Sequence, residues 1–380
     1  MGENAPILVG SEIYRRSTYG PKHPLAIPRV STTLDLIRAL GWLDPARYRD
    51  SPMASAAQLA RFHDPAYIAA LQRAEATQQV SAEDRARFRI GADGNPVYRE
   101  VFRRPATSAG GVLLAAELTR NGGVVHVPGG GTHHGRPDRA SGFCYVNDAV
   151  LGLLAWLDQG LTRLLYLDVD AHHGDGVQDA FHDDARVLTV SLHEEGRWPH
   201  TGAAEDHAGG LALNLPVPAG FHDAEMRVLL DRAILPLIRR FRPQAIMLQC
   251  GADGLEEDPL SRLSLSNNAH RDLVAAIRGL APRLIVLGGG GYNPWSVARC
   301  WALVWAELNG LAPPLALPPA AEAVLRRLSF ARAAGRRPPE HWFTTLLDAP
   351  REGPVRAFVA PLIARAEGLP LPHAHGIRRA

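Results

Sequence analysis

Five short apolar runs punctuate the middle of the chain: Gly123–Val127 (GVVHV), Arg163–Val169 (RLLYLDV), Arg186–Leu192 (RVLTVSL), Gln244–Gln249 (QAIMLQ) and Arg283–Leu287 (RLIVL). Their hydrophobicity is continuous rather than alternating, which predicts strands covered on both faces, as in a parallel sheet between layers of helices. Between the runs the pattern shifts to helical spacing. Asn147 is placed to cap a helix reaching about Gly160, where glycine ends it; Asp223 predicts a cap for a helix to about Arg240, and Ser266 for one to about Gly279. Earlier, Asp64-Pro65 opens a helix with proline in the first turn, where no N–H is needed. Strands alternating with helices predict a mostly parallel α/β sheet with helices on both faces. No repeat or low-complexity linker intervenes before about Pro313, where the text turns rich in Pro, Ala and Arg (PPLALPPAAEAV, GRRPPEHW). We expect a main domain over residues 1–312 and, over 313–380, a helical extension packed on it, with His373 and His375 in a loose tail.

Composition narrows the class. The chain has 380 residues, 46% of them hydrophobic and 21% charged, enough to build a core without metal or disulfide staples. Lysine and arginine number 41 against 39 acids, so no broad field draws the protein to nucleic acid or a membrane surface. No apolar stretch approaches the ~18 residues of a spanning helix, and no basic segment followed by an apolar run marks a signal peptide. Cys144, Cys250 and Cys300 are far apart and odd in number, which predicts reduced thiols in a soluble cytoplasmic protein.

In an open parallel sheet, function gathers at the carboxyl ends of the strands. Four of the runs lead straight into polar, glycine-rich text: GGGTHHGRPDRASGFCYVND, DVDAHHGDG, CGADG and GGGGYN. Alternate side chains of an extended segment share a face, so Asp168, Asp170 and His172 point one way. Asp170 and His172 can then reach one metal ion, with Asp168 a step deeper and Asp253 as a third ligand. Three protein ligands and an open position are the pattern of a catalytic zinc site. An isolated Asp-x-His is more often structural; the second strand-end acid and the neighbouring histidine pair shift the balance. His133-His134 follow Gly129–Gly131, and Asp168 and Asp175 are spare carboxylates, each able to fix one imidazole's tautomer and raise its basicity. One metal with two such histidines suits water activation and leaving-group protonation. Tyr292 follows Gly288–Gly291, a loop flexible enough to bring a hydroxyl donor to a developing oxyanion.

The segments GGTHHGRPDRASGFCYVNDAVLG, YLDVDAHHGDGVQDAF, VSLH, CGADGLEEDPLSRLSLSN and GGGGYNPWSVARCW resemble, in order, the motifs of the zinc-dependent histone deacetylase family, and look most like its bacterial acetoin-utilisation deacetylase branch. The likeness runs from about His23-Pro24 to about Gly310. It implies the single-domain arginase–deacetylase α/β fold, with a sheet of about eight strands. It also implies that Asp170, His172 and Asp253 hold Zn2+, for which Fe2+ or Co2+ can substitute at an oxygen-rich site. His134, paired with Asp175, would be general base and then acid; His133, paired with Asp168, would orient the water; Tyr292 would polarise the acetyl carbonyl. Phe143 and Trp198 match the aromatics flanking an acyl-lysine tunnel, Gly142 its wall, and Arg29 an arginine near an inner acetate cavity. K+ would bind main-chain oxygens of Asp168, Asp170 and His172 with Ser191 and Leu192. Asp93 is the candidate for the family's rim aspartate, although Gly94 shifts the spacing. Trp198, His200 and Thr132 depart from the usual residues and predict a reshaped tunnel mouth.

Three other readings compete with this one. A dinuclear manganese hydrolase of the same fold needs a bridging carboxylate where this chain has Gly174. A deacetylase of acetylpolyamines or another small acetylated amine keeps the chemistry and changes the partner, whereas the resemblance favours an acetylated protein. A silent acyl-lysine-binding module would have lost a ligand, a histidine or the tyrosine, and all are present.

Overall fold

The structure is a computed structural model that describes residues 5–332 and 335–371; the tail histidines His373 and His375 lie outside the described residues. Eight strands form one sheet: β1 (Ile7–Gly10), β2 (Tyr48–Asp50), β3 (Gly123–Val127), β4 (Leu164–Asp168), β5 (Val187–Glu194), β6 (Ala212–Val217), β7 (Ala245–Gln249) and β8 (Arg283–Leu287). Their order is β2-β1-β3-β8-β7-β4-β5-β6, and every pairing is parallel. The five apolar runs are five of these strands, with ends shifted by at most two residues. Register levels the central carboxyl ends: Asp168 stands beside Gln249 and Ser191, Gln249 beside Leu287, and Leu287 beside Val127. The loops carrying the candidate residues therefore leave the sheet at one height.

Local chemistry sets the helices. Asn147 Oδ1 accepts the Val150 amide (3.1 Å) to start Asp148–Asp158, Asp64 accepts that of Ala66 (2.7 Å) to start Pro65–Thr77, and Ser266 Oγ that of Asn268 (3.2 Å) to start Asn267–Ile277. Asp223 departs from expectation. His222 occupies the cap position, and Asp223 is the first residue of a helix that runs Asp223–Leu229, a π-helical turn Leu230–Ile234, and Leu235–Phe241. Its carboxylate is used elsewhere, accepting from Ser266 N (2.8 Å), Ser266 Oγ (2.6 Å) and Arg351 N (2.8 Å), so it ties three segments together.

Helices cover both faces. Arg29–Ala39, Asp223–Phe241, Asn267–Ile277 and Pro294–Asn309 bury Leu34, Ile234, Leu273 and Trp301 in one core layer; Arg103–Leu118 and Asp148–Asp158 bury Val112 and Trp156 in the other. Beyond residue 312, the helices Pro319–Arg326, His341–Thr344 and Val359–Gly368 add to the first layer, with Leu325, Trp342 and Leu362 buried in it. Arg299 of Pro294–Asn309, fully buried, meets Asp348 at 2.7 Å and donates from Nε to Thr345 O at 2.8 Å. The three cysteines are buried and unpaired. Among the described residues, no helix is long and apolar enough to cross a membrane.

Candidate active site

Every sequence-singled residue of the strand-end loops lies on one side of the sheet. The loop after β3 carries His133 and His134, that after β4 Asp170 and His172, that after β7 Asp253, and that after β8 Tyr292. Asp168 closes β4 and is fully buried. Its Oδ2 accepts from His133 Nδ1 (2.8 Å) and from the Tyr166 hydroxyl (2.8 Å), while its Oδ1 accepts the Asp170 amide (3.0 Å). His134 Nδ1 donates to Asp175 Oδ1 at 2.7 Å. Because an ionised carboxylate only accepts, each pair places the imidazole proton on Nδ1 and turns Nε2 to the site.

Asp170, His172 and Asp253 bring one ligand atom each within 4.8 Å of one another, and all three are buried. His172 Nδ1 sits 3.2 Å from Asp170 Oδ1 and 2.9 Å from Asp253 Oδ2. The carboxylates are also held from behind: Gly290 N–H donates to Asp170 Oδ2 (2.7 Å) and Ala171 N–H to Asp253 Oδ1 (2.9 Å). Burial and the neighbouring Asp170 push the Asp253 carboxyl up to about 6. Two carboxylates crowded out of water around one imidazole form a donor set that a divalent cation would neutralise, so the residues fit the implied metal. Gly174 leaves no carboxylate for a second ion, and a Cβ there would stand 2.4 Å from Asp168 Oδ2.

The two histidines differ. Burial lowers His133, but the Asp168 and Asp170 carboxylates outweigh it and raise the imidazole to about 9. Burial and the adjacent His133 lower His134 to about 4 despite Asp175. Burial and the Asp253 and Asp170 carboxylates hold the Tyr292 phenol well above its ordinary value.

A cavity of about 620 Å³ opens over this group, and Asp93, His134, Gly142, Phe143, His172, Trp198, His200 and Tyr292 line it. The Trp198 ring meets His134 edge-on with centroids 4.7 Å apart, and Phe143 meets Tyr292 at 6.1 Å. Asp93 is exposed at the mouth, where it is ion-paired with Arg89. Behind the histidines a smaller cavity of about 60 Å³ touches Arg29, Thr132, Gly142 and Tyr292. Arg29 is partly buried beside it and donates to Gly289 O (2.6 Å) and Gly291 O (3.3 Å), bracing the loop that carries Tyr292. Ser191 and Leu192 lie in β5 apart from the cavity, with Ser191 Oγ 3.0 Å from His193 Nδ1.

Sequence reasoning missed several supports. Asn147, read as a cap, also donates from Nδ2 to His133 O and Gly135 O (3.1 Å each). His63 Nδ1 donates to Arg136 O (2.9 Å), and Asp258 Oδ2 accepts the Tyr292 amide (2.6 Å). Arg136 pairs with Asp175. Only Asn147 gave a signal in the text, as the cap residue before an apolar helix.

Comparison with known proteins agrees with this geometry. The profile of the histone deacetylase domain matches residues 23–308. Histone deacetylase 6 of Arabidopsis thaliana is 38% identical over 79% of this chain and 65% of its own length. The acetoin utilization protein AcuC of Bacillus subtilis is 33% identical over 82% of this chain and 84% of its own. The chain thus spans about two thirds or less of several plant and nematode histone deacetylases, and most of AcuC. The crystal structure of an HDAC homolog from Aquifex aeolicus superposes with a TM-score of 0.90 at 35% identity, covering 96% of this chain and all of that one; the structure of an HDAC homolog complexed with SAHA gives the same figures. The strand-end Asp-His-Asp group, the paired histidines and these likenesses lead to one conclusion: the chain belongs to the histone deacetylase family.

Proposed function

We propose that the protein hydrolyses N-acetyl amides and removes acetyl groups from lysine side chains of proteins, with Zn2+ as its ion. The observation that carries this reading is the convergence of two His–Asp pairs, an Asp-His-Asp donor set and a tyrosine at the floor of one aromatic-walled cavity. Asp170, His172 and Asp253 would hold the ion, which when bound supplies a Lewis acid for the amide carbonyl and makes water a nucleophile near neutral pH.

The chain's own groups do the rest. His134, with Nδ1–H given to Asp175, keeps Nε2 free to take a proton from water and later deliver it to the departing amine. His133, charged beside Asp168, orients the water and stabilises negative charge as it develops. Tyr292, protonated throughout, donates its O–H to the oxyanion. Phe143, Trp198 and Gly142 guide the flat acyl-lysine stem, Asp93 holds the substrate backbone at the rim, and Arg29 attracts acetate in the inner cavity. We assign a K+ site to main-chain oxygens of Asp168, Asp170 and His172 with Ser191 and Leu192. Buried free thiols support a reducing, cytoplasmic setting.

Acetate release from an acetyl-lysine peptide by the purified, zinc-loaded protein tests the reading. We expect turnover that falls about 100- to 1000-fold in Tyr292→Phe, the usual loss for one oxyanion donor. Turnover of acetylpolyamines alone would replace the protein substrate with a small amine, and no turnover of either by a folded, zinc-bound protein would overturn the hydrolase.

A further inference from the structure

Arg136 stands two residues beyond His134 in the loop after β3, and the mechanism above does not use it. Arginine in a polar loop is normally solvated, yet this side chain is only 17% exposed. Its Nη2 donates to Asp175 Oδ2 and its Nη1 to Asp179 Oδ2. The other oxygen of Asp175, Oδ1, accepts from His134 Nδ1 (2.7 Å) and from the Gly176 amide (2.8 Å). Both oxygens are thus engaged, with the imidazole on one and the guanidinium on the other.

The arrangement is built from both sides. Asp175 and Asp179 lie one turn apart on the helix Asp175–Ala180, so the two carboxylates face the same planar fork. The loop backbone cannot drift: His63 Nδ1 holds Arg136 O (2.9 Å), and Asn147 Nδ2 holds His133 O and Gly135 O (3.1 Å each). Without the guanidinium, Asp175 Oδ2 would lose its ionic partner, and the carboxylate could rotate about Cβ–Cγ and carry the imidazole with it.

We propose that Arg136 is a positioning residue of the hydrolysis: by clamping Asp175 it fixes the carboxylate plane that aims His134 Nε2 into the cavity. The inference rests on the reading of His134 as the proton carrier. Outer partners of this kind typically contribute about 10- to 100-fold in activity.

The test uses the full-length, zinc-loaded protein. Arg136→Met should lower kcat about 10- to 100-fold while KM and the zinc stoichiometry stay as in the wild type. Arg136→Lys, a point charge able to meet one carboxylate, should recover part of the loss. In an Asp175→Asn background, Arg136→Met should cost no more than about twofold, because the group through which it acts is gone. An equal loss in both backgrounds would overturn the proposal. Should the wild type release no acetate at all, the hydrolase reading fails separately. Arg136 is then judged by the downfield His134 Nδ1–H resonance, assigned through its disappearance in Asp175→Asn. A shift in Arg136→Met supports the clamp; an unchanged resonance overturns it.

Discussion

Gly142 adopts φ +53° in the wall of the cavity. A Cβ there would stand 2.4 Å from Trp198 Cη2 and 2.6 Å from His134 Cδ2, so the position demands glycine both for its backbone and for its space. Gly142→Ala should therefore cost about 1–3 kcal/mol of stability, read by urea unfolding. Adding Trp198→Ala should return part of that cost by removing one of the two clashes; a double variant as unstable as the single one would mean that backbone strain carries the whole effect. At this scale the sequence was readable where chemistry coincided with strand ends. Asp170, His172 and Asp253 announce themselves because a level register ends β4 and β7 side by side; Asp170 and His172 lie in bends beyond β4, held by the Asp170 amide on Asp168 Oδ1 and the His172 amide on Asp170 Oδ1, and not in the extended segment that alternation assumes. Arg136 and His63 do not. Their roles depend on which carboxylate or carbonyl the fold carries past them, and neither neighbour is near in the chain.

The same logic separates the strands that were readable from those that were not. The five recognised strands include the four at the centre of the sheet, and burial on both faces writes them as continuous apolar runs. The missed ones are the two edges and the short β1. β2 reads Tyr-Arg-Asp and is half open to water, while β6 carries Asn214 and Pro216, a proline tolerated because an edge strand leaves one row of amides unpaired. Their existence was expected through the family likeness alone. Among the helices, Pro294–Asn309 holds the segment beyond residue 312 through the buried Arg299–Asp348 pair, and Asn267 reinforces it by donating from Nδ2 to Leu346 O (2.9 Å). Arg299→Met should destabilise the protein by about 3–5 kcal/mol, since it strands a buried carboxylate. The double variant Arg299→Met, Asp348→Leu should recover most of this in chemical unfolding. Equal losses in the two would show that packing of the arginine stem, and not the charge, is what matters.

For the molecule as a whole, stability should fall in acid through a buried histidine remote from the site. His126, in β3 between Leu8 and Val286, is fully buried with neither ring nitrogen partnered, and burial lowers it to about 3. Between its ordinary value of about 6.5 and that depressed one, the unfolded chain binds a proton that the folded chain refuses. Its contribution is thus complete above about pH 6.5 and declines as pH falls, by about 1.4 kcal/mol per pH unit. His126→Leu should flatten the acid limb of the stability curve by that slope, and an unchanged limb would show that other groups set it. Metal linkage acts on the same quantity: chelation should lower the melting temperature, and zinc at about 1,000 times its Kd should restore about 4 kcal/mol.

The strand order carries a consequence for how the site is assembled. Asp170, His172 and Asp253 follow the neighbouring strands β4 and β7, but β3, which leads into the histidine pair, is separated from β7 by β8. A growing chain thus possesses the Asp-His-Asp group and both imidazoles before residue 283 is made, yet they have no common scaffold until β8 stands between β3 and β7. That last strand also delivers the tyrosine. A chain lacking β8 should therefore be no weaker version of the whole but a different object, with the parts of the site present and unassembled.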